Sequence, residues 1–368
     1  MQQASSGSID QFPDFLARLP PEVKLEELAR QTGAFERPRG VRSGTDLLRL
    51  ALAWGPGGYS MQRVAAWAGE LGIAELTDEA LSQRLHRAVF YLQAVTEQLL
   101  QRVTTDACWP GRVLRISDSS SLSGPASHGT DWRLHGVYDL ARGGFSALEL
   151  TDGHGAEALD RGKPMAGEIR IGDRGYANAQ AWQRFLQASA GQADYIVRMR
   201  WNTVRLVDEA GDLFDIIGWL KALPQAHEIH ETTVWAQSGK HQKPLRIRLI
   251  ARRKTPEAIA TAHKGLRQQA SRKQTKLDER TLVAAEFLIL ATSLLEAEFP
   301  ALKVLAVYRL RWQIELAFKR LKSLLNIGKI RTRTEVGTRC WLYAHLIVAL
   351  LCDDLSQDFL ESSPSGSF

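Results

Sequence analysis

Four residues toward the C-terminal end of the chain, Tyr308, Arg311, Glu315 and Lys322, have the types and spacing to handle a metal ion or a phosphate. Placed on a helix at about 100° per residue, they fall within an arc of roughly 60°. One carboxylate then stands among cations and a phenol, a setting suited to either ligand. On the neighbouring stripe, centred roughly 100° away, Val307, Leu310, Ile314, Phe318, Leu321 and Leu325 would seat the same helix on a core. A plainer account competes with this. Arg311–Glu315 and Glu315–Lys319 are four residues apart, the spacing of ordinary ion pairs on a solvated helix.

Two aspartates shift the balance. Asp118 closes the run VLRIS, and Asp173 closes EIRIG and begins Asp173-Arg174-Gly175-Tyr176. A carboxylate at a strand terminus is held by a rigid sheet yet projects into an open crevice. Asp is also a common turn former, so either residue alone says little. Together with Glu315 they make three carboxylates that folding could bring to one point. Hard oxygen ligands suit Mg²⁺ or Mn²⁺, which also bind phosphate oxygens. Two such ions, about 3.5–4 Å apart, would activate a water or a 3′-hydroxyl and stabilise the leaving oxygen of a phosphodiester. Neighbouring Arg and Lys would offset the charge that repels nucleophiles.

The charge distribution supports a polyanionic partner. Residues 240–280 hold 13 Lys/Arg against 3 Asp/Glu, and residues 303–333 hold 9 against Glu315 alone. These blocks sum to +18, so the rest of a chain of net charge +6 carries −12. Concentrated cations on an otherwise acidic chain point to nucleic acid. Arg252, Arg253, Lys254, Lys264, Arg267, Arg272, Lys273 and Lys276 would suit tracking a DNA backbone. No run approaches the roughly 18 apolar residues of a membrane span. No secretion signal is visible at the N-terminus. Cys108, Cys340 and Cys352 are too scattered for a zinc site or a disulfide framework, which suits a cytoplasmic setting.

These residues need elements to position them. Residues 1–20 read as a loose lead-in, and from Pro21 to about Thr105 the apolar spacing is helical. Within it, residues 60–88 read as helix, short turn with Gly69 and Gly72, then helix capped by Thr77 or Asp78. That resembles a helix-turn-helix whose second helix, with Arg84, His86 and Arg87, could meet DNA, although any compact helical bundle would look similar. After Trp109-Pro110-Gly111 the period changes. Val113–Ser117, Leu134–Leu140 and Phe145–Thr151 read as strands, with Arg142-Gly143-Gly144 at a hairpin bend. Glu168–Gly172, a helix near 177–188 and a strand at Tyr195–Arg200 follow, giving an α/β core on a mixed sheet. Four stretches between 201 and 255, including LFDIIGW, read as a small β-rich insertion with exposed cations. A helical connector at 256–277 leads to FLILAT (287–292), apolar as a buried central strand should be. A last amphipathic helix spans roughly 337–359. His135, His154, His227 and His230 lack metal-ligand spacing and read as core or surface residues.

The spacing Tyr308-x2-Arg311-x3-Glu315-x6-Lys322 resembles, at every step, the YREK signature of bacterial insertion-sequence DDE transposases with an RNase H-like core. Asp173-Arg174-Gly175-Tyr176 looks like their second-aspartate motif, and Asp118 matches the first in position. Arg133-Leu134-His135 and Tyr138-Asp139-Leu140 resemble the family's first hairpin. The resemblance covers roughly residues 110–350. It implies an RNase H-like mixed sheet with flanking helices, interrupted by a β-rich insertion and preceded by an all-helical N-terminal domain. The expected division is 1–108 helical, 109–200 first part of the core, 201–280 insertion, 281–335 second part of the core, and 336–368 C-terminal helix and tail. The resemblance further implies a DNA transposase that cuts its element's ends and joins the freed 3′-hydroxyl to target DNA. Asp118, Asp173 and Glu315 would hold two Mg²⁺ or Mn²⁺ ions; Tyr308, Arg311 and Lys322, with Arg174, Tyr176 and Lys319, would contact DNA phosphates. Partners would be element-end and target DNA and a second copy of the chain, in the bacterial cytoplasm at the nucleoid. Some relatives stack a flipped base on a Trp; here Phe287, Trp201 and Trp235 are the aromatic candidates, with core packing the competing role. A metal-dependent nuclease without strand transfer and a transposase-derived DNA-binding protein remain open. A Ser nucleophile within Ser117–Ser123 ranks below both, as no oriented base is evident.

Overall fold

The computed structural model describes residues 12–35, 40–100, 111–127, 129–222, 229–239, 242–325, 330, 332 and 334–362, without the side chains of 320, 324, 325 and 352–362. The expected boundary at 108/109, Cys108 and His227 lie outside the described residues. Helices α1 (Phe12–Ala17), α2 (Leu25–Gln31), α3 (Gly44–Trp54), α4 (Met61–Glu70), α5 (Asp78–Arg87) and α6 (Val89–Leu100) come first. Strands β1 (Val113–Leu122), β2 (Trp132–Asp139), β3 (Gly144–Asp152) and β4 (Glu168–Gly172) follow, then α7 (Ala179–Ala188), β5 (Asp194–Arg198) and β6 (Leu206–Val207). Next are α8 (Ile216–Lys221), β7 (Ile229–Ala236), β8 (Leu245–Arg253), α9 (Pro256–Arg272), α10 (Glu279–Ala285) and β9 (Phe287–Thr292). The chain continues with α11 (Ala301–Tyr308), a 3₁₀ turn at Arg309–Arg311, α12 (Trp312–Leu325) and α13 (Glu335–Ser362). Among the described residues no helix is long and apolar enough to cross a membrane.

The chain forms two compact units, and neither is continuous in sequence. One comprises Met1–Val103, Ser121–Trp132 and Lys319–Phe368; the other comprises Thr104–Ser120 and Arg133–Phe318. In the helical unit, α13 packs on α6, α3 and α5, and α2 packs on α3 and α6. The sequence starts these helices with side-chain caps: Ser43 Oγ accepts from the Asp46 N–H, Ser60 Oγ from Arg63, and Thr77 Oγ1 from Ala80. Helices α4 and α5 pack on each other with residues 71–77 between them.

The second unit is built on the mixed sheet expected of an RNase H-like core. Strand order is β3-β2-β1-β4-β5-β9-β8-β7-β6. Strands β1, β4 and β5 are parallel, and β9 runs antiparallel to β5. Strand β4 is buried along its whole length, as a strand covered on both faces must be. The FLILAT strand β9 is buried and sits mid-sheet, between β5 and β8. Through β8 and β7, residues of the expected insertion extend that same sheet. Helix α7 covers it, with Trp182 stacked on Tyr195 at 5.1 Å.

Three local expectations are corrected. LFDIIGW was expected as strand, yet Ile216–Lys221 is helix, because the Asp215 carboxylate accepts from the Gly218 N–H and caps a first turn there. Strand β1 runs on to Leu122, so Asp118 lies within a strand instead of closing one. The stretch 300–325 is two helices joined by a 3₁₀ turn. There ψ falls to −29° at Tyr308 and −24° at Arg309, tightening the winding without leaving the helical region.

Candidate active site

Sheet register brings the two aspartates together. Parallel pairing of β1 with β4 ends at Ser117 opposite Gly172. The next residue on each strand is an aspartate, so Asp118 and Asp173 directly follow the last paired residues of adjacent strands. Asp118 is held by a hydrogen bond from the Ser119 N–H to its Oδ1, 2.8 Å. Burial pushes its carboxyl up to about 6; Ser119 and Arg311 pull it down, while Glu157 and Glu315 push it further up. Asp173 accepts from the Tyr308 hydroxyl at 3.4 Å and lies 4.0 Å from Arg198 Nη1. Burial, followed by the Asp173 charge, raises the Tyr308 phenol to about 12.

Helices α11 and α12 bring the third carboxylate. Val304, Leu305 and Val307 bury α11, and Ile314 and Phe318 bury the first turns of α12. Phe318 rests on Phe145 with ring centroids 5.1 Å apart, and Gly136 on β2 leaves room for both rings. Arg311 Nη2 lies 2.6 Å from Glu315 Oε1, the pair expected of a solvated helix. Yet the Arg311 side chain is only 20% exposed. Burial works against its charge, but Glu315, Tyr308 and Asp173 more than offset that cost. Arg311 is thus the cation that Asp118, Asp173 and Glu315 share.

The remaining expected site residues are dispersed. Arg174 is exposed in the turn after Asp173. Tyr176 is 2% exposed: its ring joins the core and its phenol lies under the charges of Asp118 and Glu157, so the structure does not present it to solvent beside Arg174. Lys319 is exposed on α12, and Lys322 Nζ donates to the Ser121 carbonyl at 3.3 Å. Of the histidines, His135 is buried against Thr151 Oγ1 at 3.0 Å, and burial, then Arg161 and Arg133, lower it to about 4. Phe287 is 4% exposed with Arg253 over its ring, which leaves it a core residue.

Two residues near the site, Arg198 and Trp312, escaped the sequence reading. Arg198 ends β5 beside Asp173. Together with Arg174, Lys254, Trp201 and Phe287 it lines a cavity of about 660 Å³ between β5, α9 and α10. Lys254 is lowered by burial and by the charges of Arg198 and Arg174. Trp201 donates to Thr281 Oγ1 at 3.2 Å and lies under Arg280. Trp312, adjacent to Arg311, is 52% exposed. Only the i, i+1 step from Arg311 would have flagged Trp312; no local signal marks Arg198.

A mixed sheet with Asp118 and Asp173 at the end of the β1–β4 register and Glu315 on a following helix is the arrangement expected of a DDE transposase. Residues 109–351 match the family described as transposase DDE domain, and the chain belongs to that family. It is 39% identical to the transposase for insertion sequence element IS421 of Escherichia coli, over 98% of each chain. It is 26% identical to the transposase for insertion sequence element IS231F of Bacillus thuringiensis subsp. israelensis, over 93% of this chain and 79% of that one. The structure also resembles that of the piggyBac transposase in a synaptic complex with hairpin DNA, at 7% identity, with a TM-score of 0.46 and coverage of 96% of this chain and 75% of that one.

Proposed function

We propose that this transposase cuts DNA at the ends of its insertion sequence and joins the freed 3′-hydroxyl to target DNA, with Asp118, Asp173 and Glu315 as its metal-binding carboxylates. The observation that supports this reading is the β1–β4 register, after which Asp118 and Asp173 follow on adjacent strands, with the Arg311 charge acting on both and Glu315 acting on Asp118.

A DDE transposase domain implies a divalent metal in general terms. The donor set fits a hard dication, being oxygen only. Among the described residues no three His, Cys, Asp or Glu stand close enough to hold an ion as they are. Arg311 is ion-paired with Glu315, and Glu315, 55% exposed, has solvent space in which to change rotamer. When bound, a pair of Mg²⁺ or Mn²⁺ ions supplies Lewis acidity at the scissile phosphate. Arg311 would offset the charge of a phosphate oxygen at the site, and the Tyr308 hydroxyl orients Asp173 by its hydrogen bond. Lys319 and Lys322 extend the phosphate row along α12. Arg174, Arg198 and Lys254 repel one another around an open cavity, and a nucleic-acid backbone there would relieve that repulsion. Since an element has two ends, two copies of the chain would act together in a synaptic complex, in the cytoplasm at the nucleoid.

The test is end cleavage by Glu315→Ala on a labelled duplex bearing the element's terminus, with Mg²⁺ or Mn²⁺. Cleavage is expected to vanish while DNA affinity stays within about threefold, since one exposed carboxylate contributes little to phosphate binding. A Glu315→Ala protein that still cuts would overturn the assignment.

A further inference from the structure

We propose that Glu157 is a positioning residue for the paired aspartates, holding Asp118 through Ser119 and bracing the turn that follows Asp173. This rests on the reading of those aspartates as metal-binding carboxylates. Glu157 belongs to none of the motifs that mark the site; it lies in the segment between β3 and β4. Its Oε1 accepts from the Ser119 hydroxyl at 2.6 Å and stands 3.3 Å from Arg133 Nη1. Ser119 in turn gives its backbone N–H to Asp118 Oδ1. One serine therefore links the two carboxylates: its N–H sets the Asp118 rotamer, and its hydroxyl is anchored by Glu157. On the other side, Glu157 Oε2 lies against Gly175, where any Cβ would overlap it. The glycine of Asp173-Arg174-Gly175-Tyr176 lets the Glu157 carboxylate lie where a Cβ would stand, and a side chain there would displace it. A single side chain thus touches the residue after Asp118 and the residue two beyond Asp173.

The segment carrying Glu157 is pinned as a positioning element must be. Fully buried Arg170, on β4, donates from Nη1 to the Leu159 carbonyl at 3.3 Å and the Arg161 carbonyl at 2.8 Å. Arg161 Nε returns to the Ala156 carbonyl at 2.8 Å, and Arg184 Nε lies 2.6 Å from Asp160 Oδ2. The partly exposed pair with Arg133 would by itself make Glu157 surface decoration. A decorating carboxylate would neither take the Ser119 hydroxyl nor lie against the backbone at position 175.

The experiment measures Mn²⁺ affinity by electron paramagnetic resonance on the full chain, alongside end cleavage and thermal unfolding. Residues that orient metal-binding groups typically contribute about 10–100-fold to affinity. Glu157→Ala should therefore weaken Mn²⁺ binding by about tenfold or more. Glu157→Gln keeps an oxygen acceptor for Ser119 and should stay within about threefold of the parent. Ser119→Ala should weaken binding too, and the double variant Ser119→Ala/Glu157→Ala should be no worse than Glu157→Ala alone, because both losses break one link. Parent-like Mn²⁺ affinity in Glu157→Ala overturns the proposal, as do losses that multiply in the double variant. If Glu157→Ala does not fold, Ser119→Ala decides, with unchanged affinity counting against the proposal. Asp118→Ala separates the two levels. Loss there without loss in Glu157→Ala overturns the positioning role alone, whereas no loss in either overturns the metal reading beneath it.

Discussion

Gly136→Ala tests how the glutamate-bearing helix is seated. A Cβ at Gly136 would stand 2.7 Å from Phe145 Cε1 and 2.8 Å from Phe318 Cζ. Ordinary carbon contacts lie at about 3.5–4.0 Å, so each ring must retreat by roughly 0.7–1.3 Å. Neither can do so alone, because the rings pack on each other and Phe318 is 5% exposed. Overpacking of this kind typically costs about 1–3 kcal/mol. At about 2–4 °C per kcal/mol for a unit of this size, Tm should fall by roughly 2–12 °C. Glu315 is less than one turn before Phe318 on α12, so a shift of the helix reaches the site. A displacement near 1 Å can cost about 100-fold in rate, and end cleavage should drop by roughly 10–100-fold. Phe318→Leu shortens the offending ring and should recover part of both losses in the double variant, a coupling of about 1 kcal/mol. The assays are thermal unfolding and cleavage of a labelled end duplex for both single variants and the double. A Gly136→Ala protein with parental Tm and parental cleavage would refute the packing argument, and additive losses would remove Phe318 from it.

Arg170→Met should destabilise the sheet unit by about 3 kcal/mol, because it removes the buried cation paired with Glu168 Oε1, leaving that carboxylate only Arg115 and the Met165 N–H, and drops the carbonyls of Leu159 and Arg161; chemical denaturation would show it as a lower midpoint with unchanged slope. Lys254→Ala should weaken end-DNA binding and reduce the slope of log K against log salt by about one, as expected for one lost phosphate contact. An unchanged slope would place Lys254, and the cavity it lines, away from the DNA backbone.

What could be read from the sequence depended on the range of the interaction. Strands β2 to β5 and β9 were legible because apolar runs bounded by Gly and Asp report their own burial. Asp173 was legible as the residue that ends the alternating run EIRIG. Asp118 was found but misplaced, since SDSSSL continues as strand through its pairing to a neighbour that local propensity does not reveal. Ile216–Lys221 was misread because two isoleucines speak for strand, while the Asp215 cap that decides for helix acts through a single hydrogen bond. Glu157, Arg198 and the joining of β7 and β8 to the main sheet were invisible. Each depends on contacts between segments tens of residues apart, and no periodicity encodes them. The Arg311–Glu315 pair was legible as a salt bridge; that Asp118 and Asp173 share the same guanidinium was not.

The discontinuity of the helical unit bears on how such a gene can decay. Helix α13, from the far end of the chain, buries Trp341, Tyr343, Leu346 and Ile347 in a unit where it packs on α3, α5 and α6. A premature stop codon anywhere ahead of Glu335 therefore does not release a self-sufficient N-terminal fragment; it strips the core from the helices already synthesised. Such products are substrates for proteolysis before they can occupy DNA. Lesions ahead of α13 should therefore remove the helical unit's core along with the site, so that a damaged copy of the gene is expected to leave no folded fragment to compete with an intact one.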